Sequence, residues 1–171
     1  CLLSMARWIL MLMIILGAQT VLSIPPKERL DYFYIGQNGI RERRLLMFGF
    51  SGGAHFVHRF ALWKPERVKA AVCFSAAWWD EPDQRDRGIS LLVLCGEDDP
   101  RYEASLAFYR KVSRLGWPVA WRSFAGLNHA LDDRVVRLTQ AFLEPFVVGA
   151  KTEKWIGDIQ EWRAYPTNSD E

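Results

Sequence analysis

The sequence predicts an α/β fold, a parallel sheet with helices on both faces. Three observations carry that expectation: unbroken apolar runs of strand length, helical stripes between them, and Gly, Asp or Pro at the joints. Strands alternating with helices build βαβ units. A strand covered on both faces reads as a continuous apolar run rather than an alternating one. The chain has 171 residues, half of them hydrophobic and a quarter charged, which suits one globular domain and excludes a disordered chain, a collagen-like repeat or a multi-span membrane protein. The 22 basic and 20 acidic residues leave a formal charge of +2 with no long run of one sign. A nucleic-acid partner needs a concentrated basic face, so none is expected.

Residues 1–26 are expected to be an apolar leader. Arg7 precedes the run Trp8 to Leu16 (WILMLMIIL), and Gly17, Ala18, Gln19 and Thr20 follow it. A positive charge, nine apolar residues and a small-residue exit fit a secretory signal peptide. The run falls short of the about 20 apolar residues that a spanning helix needs. A short membrane anchor, a buried element and a stretch foreign to the native fold stay open as alternatives. Residues 8–22 are the expected place of any membrane contact. The chain is expected to be secreted or membrane-associated if the leader is a targeting signal, and cytoplasmic if it is not. Pro25-Pro26 closes the segment, since neither residue continues a helix or a central strand.

Residues 27–150 carry the alternating pattern. Lys27 to Gln37 is expected to form a short helix that exits at Asn38-Gly39. Leu45 to Phe48 predicts a first buried strand, Ala54 to Trp63 a helix stopped at Lys64-Pro65, and Val68 to Phe74 a second strand. Ile89 to Cys95 predicts a third. From Arg101 to Leu115, the residues Tyr102, Leu106, Tyr109, Val112 and Leu115 fall on one helical stripe, with Gly116 as C-cap and Pro118 barring continuation. Val119 to Phe124 predicts a fourth strand. Asp132 or Asp133 is expected to cap a last helix through Phe146, with Val135, Leu138 and Phe142 inward. Residues 151–171 are polar with aromatic anchors at Trp155, Trp162 and Tyr165, and are expected to pack along the surface. Cys73 and Cys95 lie inside apolar runs and read as small buried hydrophobes, with a disulfide between them as the minor alternative.

The chemistry concentrates at Gly49-Phe50-Ser51-Gly52-Gly53, a GxSxG segment directly between a predicted strand and a predicted helix. A serine hydroxyl is a poor nucleophile until it is exposed and given a base. A sharp strand-to-helix turn supplies the exposure, and glycines on either side let strand and helix approach. The chain holds three histidines. His55 and His58 lie along the helix after Ser51 and are expected in surface or packing roles; no further ligands accompany them, so no metal is expected. His129 follows the fourth strand in a loop that opens at the carboxyl edge of the sheet, where ligands bind in open parallel sheets. The acid should leave the third strand at the same edge, and Glu97, Asp98 and Asp99 all do, with Asp99 ranked first. The backbone N–H of Gly52 is a candidate oxyanion donor. Phe50, Trp78 and Trp79 are candidate pocket residues, ordinary edge packing being the alternative for the two tryptophans.

With those pieces in place, residues from Arg43 to about Phe146 resemble the carboxyl-terminal part of an α/β-hydrolase-fold serine hydrolase. The likeness is to cap-poor esterase, lipase and polyester-depolymerase-like members. It rests on GFSGGAHF at the turn, LLVLCGEDDP at the acid strand and FAGLNH at the histidine loop, in the Ser…Asp…His order. In that family the acid commonly stands three residues after the strand-ending glycine, which selects Asp99 after Gly96. The resemblance implies a partial α/β-hydrolase fold with the amino-terminal strands missing, because the family usually places several strands before the nucleophile. It implies cleavage of a small-molecule or polymeric ester through Ser51, His129 and Asp99, with no cofactor. The alternatives are a catalytically inactive hydrolase-like fragment or binding protein, and a peptidase or amidase with the same residues. The sequence leaves the oligomeric state open.

Overall fold

The computed structural model describes residues 44–82, 89–149, 151 and 155–160. The expected leader, the Lys27 to Gln37 helix, Trp162 and Tyr165 lie outside the described residues. Strand β1 (Leu45–Phe50) leads into helix α1 (Gly52–Trp63), a 3-10 turn (Pro65–Arg67) and β2 (Val68–Phe74). Then come β3 (Ser90–Gly96), α2 (Tyr102–Arg114), β4 (Val119–Phe124), α3 (Asp133–Val148) and the two-residue β5 (Gly157–Asp158). The five strands form one sheet in the order β1-β2-β3-β4-β5, every pair parallel.

The apolar runs alternate between two cores, except at the start of β2, where a register shift opposite Leu45 and Leu46 leaves Val68 on the same face as Ala71. Val68, Ala71 and Cys73 of β2 point to one face, while Ala70, Val72 and Phe74 point to the other. Leu91, Val93 and Cys95 of β3 join the first set, and Leu92 and Leu94 the second. Helices α1 and α2 cover the first face through Ala54, Val57, Phe108 and Val112. Helix α3 covers the second through Val135, Leu138, Phe142 and Phe146. Because successive side chains leave a strand on opposite sides, a sheet coated on both faces needs apolar residues at both parities. That is why the runs carry no period of two. Burial of each large side chain contributes roughly 1.5–3 kcal/mol.

Two details differ from the sequence reading. The most buried positions of α2 are Ser105, Phe108 and Val112, with Tyr102, Leu106, Tyr109 and Leu115 only partly buried at the flanks. Ser105, a small polar residue outside the expected stripe, is fully buried. At the other end of the chain, Trp155 and Ile159 are buried in the α3-side core, and β5 extends the sheet beside β4. Helix α3 begins as expected: the Asp132 carboxylate accepts from the N–H groups of Arg134 and Val135, and Gly149 closes it at φ 73°. Cys73 and Cys95 are free thiols, both buried. Among the described residues, no helix is long and apolar enough to cross a membrane.

His55 and His58 act as clamps. His58 is buried, with Nδ1–H donating to the Ala54 carbonyl (2.9 Å) and Nε2 accepting from the Asp80 N–H (3.1 Å). His55 Nε2 accepts from the Ala77 N–H (2.8 Å). Together with the Arg59–Asp80 ion pair (2.9 Å), they hold the chain leaving β2 against α1. Both rings must be neutral at Nε2 to accept these bonds, and burial holds both below the ordinary imidazole value of 6.5. The unfolded chain therefore takes up these protons first as pH falls past about 6.5, and stability present at neutral pH is lost on acidification. The thermal midpoint should drop between pH 7.5 and 5.5, and the drop should shrink in His58→Gln, read by circular dichroism melts at both pH values.

Candidate active site

The candidate site lies at the carboxyl ends of β1, β3 and β4. Ser51 follows β1 directly, with φ 54° and ψ −117°, outside the regions that L-residues ordinarily occupy. Holding such a residue costs roughly 1–3 kcal/mol and requires surroundings that over-determine it. Those surroundings are visible. The Ser51 N–H donates to the Phe74 carbonyl (3.0 Å), and the Ser51 carbonyl accepts from Ala54 and His55 in the first turn of α1. The turn is also tight: a Cβ on Gly49 would stand 2.3 Å from the backbone carbonyl of Gly53. The turn leaves the Ser51 side chain partly accessible.

His129 reaches Ser51 from the loop after β4. Its Nε2 lies 2.9 Å from Ser51 Oγ, and its Nδ1 lies 2.8 Å from Asp99 Oδ2. The Phe50 ring rests on the imidazole at 4.7 Å between centroids and on Phe74 at 5.1 Å. Phe50, expected as a pocket residue, packs against His129 and Phe74.

The three acids after β3 separate by environment. Glu97 is exposed and accepts a hydrogen bond from the Ser123 hydroxyl (2.8 Å). Asp98 is exposed as well, and its N–H donates to the Leu127 carbonyl. The Asp99 side chain is 0% exposed. Burial opposes ionisation of Asp99, but the Arg101 N–H (2.9 Å), His129, the Ser75 hydroxyl and the Arg101 guanidinium (3.3 Å) outweigh it and hold the carboxyl below its usual range. An ionised carboxylate only accepts. His129 Nδ1 therefore carries the proton toward Asp99, and Nε2 presents its lone pair to the Ser51 hydroxyl.

Several solved structures share this architecture. SOBER1 from Arabidopsis thaliana superposes with a TM-score of 0.57 at 17% identity, over 70% of this chain and 62% of that one. The esterase PE8 matches at 0.56 and 24%, over 67% of this chain and 57% of that one. FphF of Staphylococcus aureus, a fluorophosphonate-binding serine hydrolase, matches at 0.51 and 19%, over 66% and 59%. The fold is α/β-hydrolase-like. The chain spans about three-fifths of the length of these structures. No family model and no curated protein matches it.

Within that fold, Gly52 opens α1 immediately after Ser51, and the first-turn N–H groups of a helix have no intrahelical acceptor. Gly52 is exposed. The tryptophans sit elsewhere. Trp79 stacks on Phe108 (4.2 Å, 14°) and lies 5.0 Å from His58, within the layer between α1 and α2. Trp79 therefore takes the packing position that was the alternative to a pocket role, partly buried against the core. Trp78 is 43% exposed and covers His55 and Arg59 (4.3 and 4.2 Å). Trp78 thus packs on the side chains of α1. The sequence reading missed Ser75, a fully buried serine at φ 56° directly after β2. Its signal was a polar residue ending an apolar strand at the same edge as Ser51.

The loops holding Asp99 and His129 touch through their backbones. A Cβ on Gly96 would stand 2.1 Å from the Leu127 carbonyl oxygen, and backbone cannot yield as a flexible side chain does. Gly96→Ala should cost about 1–3 kcal/mol or more by overpacking, measured by urea unfolding. It should also part the Asp99–His129 contact, whereas Gly126→Ala, with open space around its Cβ position, should leave that contact intact and lose only from its positive φ.

Proposed function

We propose that the chain is a serine hydrolase that cleaves carboxylic esters through Ser51, His129 and Asp99. The single observation that carries this reading is the unbroken hydrogen-bond chain from Ser51 Oγ through both nitrogens of His129 to Asp99. An accessible hydroxyl, a neutral imidazole with its free lone pair facing that hydroxyl, and a buried acceptor-only carboxylate are the parts acyl transfer requires.

In the proposed reaction Ser51 Oγ attacks the ester carbonyl carbon and passes its proton to His129 Nε2. The carbonyl π pair moves onto oxygen, where the Gly52 N–H and the positive end of α1 stabilise it. Collapse expels the alkoxide, which takes the proton back from Nε2 and leaves an acyl group on Ser51. Water then repeats the sequence and frees the acid. Asp99 stays ionised throughout, fixing the imidazole tautomer and stabilising the imidazolium. Phe50, packed on His129 with the two rings tilted by 31°, keeps the imidazole from swinging out. The half-exposed serine and the esterase PE8 among the similar structures support an ester substrate, either small or polymeric. No cofactor takes part in this scheme.

A fluorophosphonate probe should label the folded wild type, and Ser51→Ala should lose that labelling. Asp99→Asn should lower kcat by about 10⁴, the loss seen when the tautomer is wrong in a Ser-His-Asp enzyme. Equal labelling of wild type and Ser51→Ala, or none of the folded wild type, would overturn the proposal.

A further inference from the structure

The Asp99 carboxylate divides its two oxygens between two residues. Oδ2 accepts from His129 Nδ1–H (2.8 Å). Oδ1 accepts twice from Arg101, once from the backbone N–H (2.9 Å) and once from the guanidinium (3.3 Å). The Asp99 side chain is wholly buried, whereas that of Arg101 is 30% exposed. Water therefore has no access to Oδ1, and a charged acceptor stripped of its donors in such a place is costly.

The chain delivers Arg101 to this position at the start of α2. The Asp99 N–H donates to the Gly96 carbonyl (3.3 Å), and the Asp99 carbonyl accepts from the Tyr102 N–H (2.9 Å). Arg101 lies inside that turn at φ −90° and ψ 0°, so its N–H points back at Oδ1. The guanidinium follows at the expense of its own hydrogen bonding: Arg101 Nε is buried and has no partner among the described residues. An orphaned buried donor calls for a compensating interaction, and the ion pair with Asp99 supplies it. That pair also answers a charge problem. With only a neutral imidazole beside it, a buried carboxylate would be an uncompensated charge; Arg101 provides the countercharge before His129 takes up any proton.

We propose that Arg101 is a positioning residue, whose guanidinium anchors Oδ1 of Asp99 so that Oδ2 stays aligned with Nδ1 of His129. This rests on the reading of Ser51, His129 and Asp99 as a catalytic triad. The charged and titratable groups facing Asp99 are Arg101 at the start of α2, His129 from the loop after β4 and Cys95 from β3. With Oδ1 pinned, the carboxylate resists turning about its Cβ–Cγ bond, and the proton shared with His129 stays on Nδ1.

The test compares Arg101→Met and Arg101→Lys with wild type in the intact chain. Met keeps the length of the side chain but has neither donor nor charge, and Lys keeps both without the planar fork. On p-nitrophenyl acetate, Arg101→Met should lower kcat by about 10-fold with KM within about two-fold, as expected for a lost hydrogen bond to a charged group that acts beyond substrate binding. The carbon NMR titration of the Asp99 carboxyl should move upward by ~0.5–1 pH unit, because the ionised form loses a donor and a countercharge. Arg101→Lys should recover part of both effects. A folded Arg101→Met with wild-type kcat, or with an unmoved Asp99 titration, would overturn the proposal, as would equal losses in the two variants. Fluorophosphonate labelling keeps this result apart from the hydrolase reading: a labelled wild type with an unaltered Arg101→Met defeats the role of Arg101 alone, whereas an unlabelled wild type defeats the triad on which it rests.

Discussion

The site depends on the last rung of the parallel ladder. Just beyond each strand, one more backbone hydrogen bond reaches the next strand: Ser51 N–H to Phe74, Ser75 N–H to Leu94, and Glu97 N–H to Phe124, each 3.0 Å. These three bonds set where the chain leaves the sheet. They also line up the ends of β1 to β4 along one edge, so residues up to 78 positions apart in sequence meet within hydrogen-bond distance. A parallel sheet presents all its carboxyl ends on the same side. The final rungs convert that general property into the specific spacing of Ser51, Asp99 and His129.

Two serines bear the strain of this arrangement. Ser51 and Ser75 are the positive-φ residues other than glycine among the described residues, and each directly follows a strand. The same backbone device has opposite results. After β1 the chain turns at once into α1, against the packed Gly49–Gly53 contact, and the hydroxyl is lifted toward solvent. After β2 the chain is drawn over α1 by His55, His58 and Arg59, and the Ser75 hydroxyl stays beneath the surface beside Asp99 and Cys95. The partly accessible Ser51 hydroxyl faces His129, and the buried Ser75 hydroxyl faces Cys95.

Electrostatics complete the division of labour. Asp99 is wholly buried yet held ionised by directed donors, whereas Glu97 and Asp98 face solvent with ordinary surface partners. The imidazoles divide in the same way. His55 and His58 spend Nε2 on backbone N–H groups and become structural, while His129 spends Nδ1 on a carboxylate and keeps Nε2 for Ser51. Residue type alone does not separate these fates, because all three rings lie within reach of polar groups. What differs is which atom the backbone offers as partner.

The sequence by itself determined the sheet, the helices and the order of Ser51, Asp99 and His129 along the chain. The segments Val68 to Phe74 and Val119 to Phe124 match strands residue for residue, because burial on both faces selects apolar side chains at most positions, Lys69, Arg122 and Ser123 being the exceptions. The GxSxG turn was legible because only glycine tolerates the contact at Gly49. Tertiary structure alone decided the rest. The sequence ranked Asp99 first of three adjacent acids, but its burial and its contact with His129, across 30 residues of chain, belong to the fold. Trp79 turned inward and Trp78 outward because clamps on α1 set the path after β2, and no periodicity encodes that path. Ser75 stayed hidden in the sequence for the same reason: its burial and its contact with Cys95, 20 residues away, arise only in the fold.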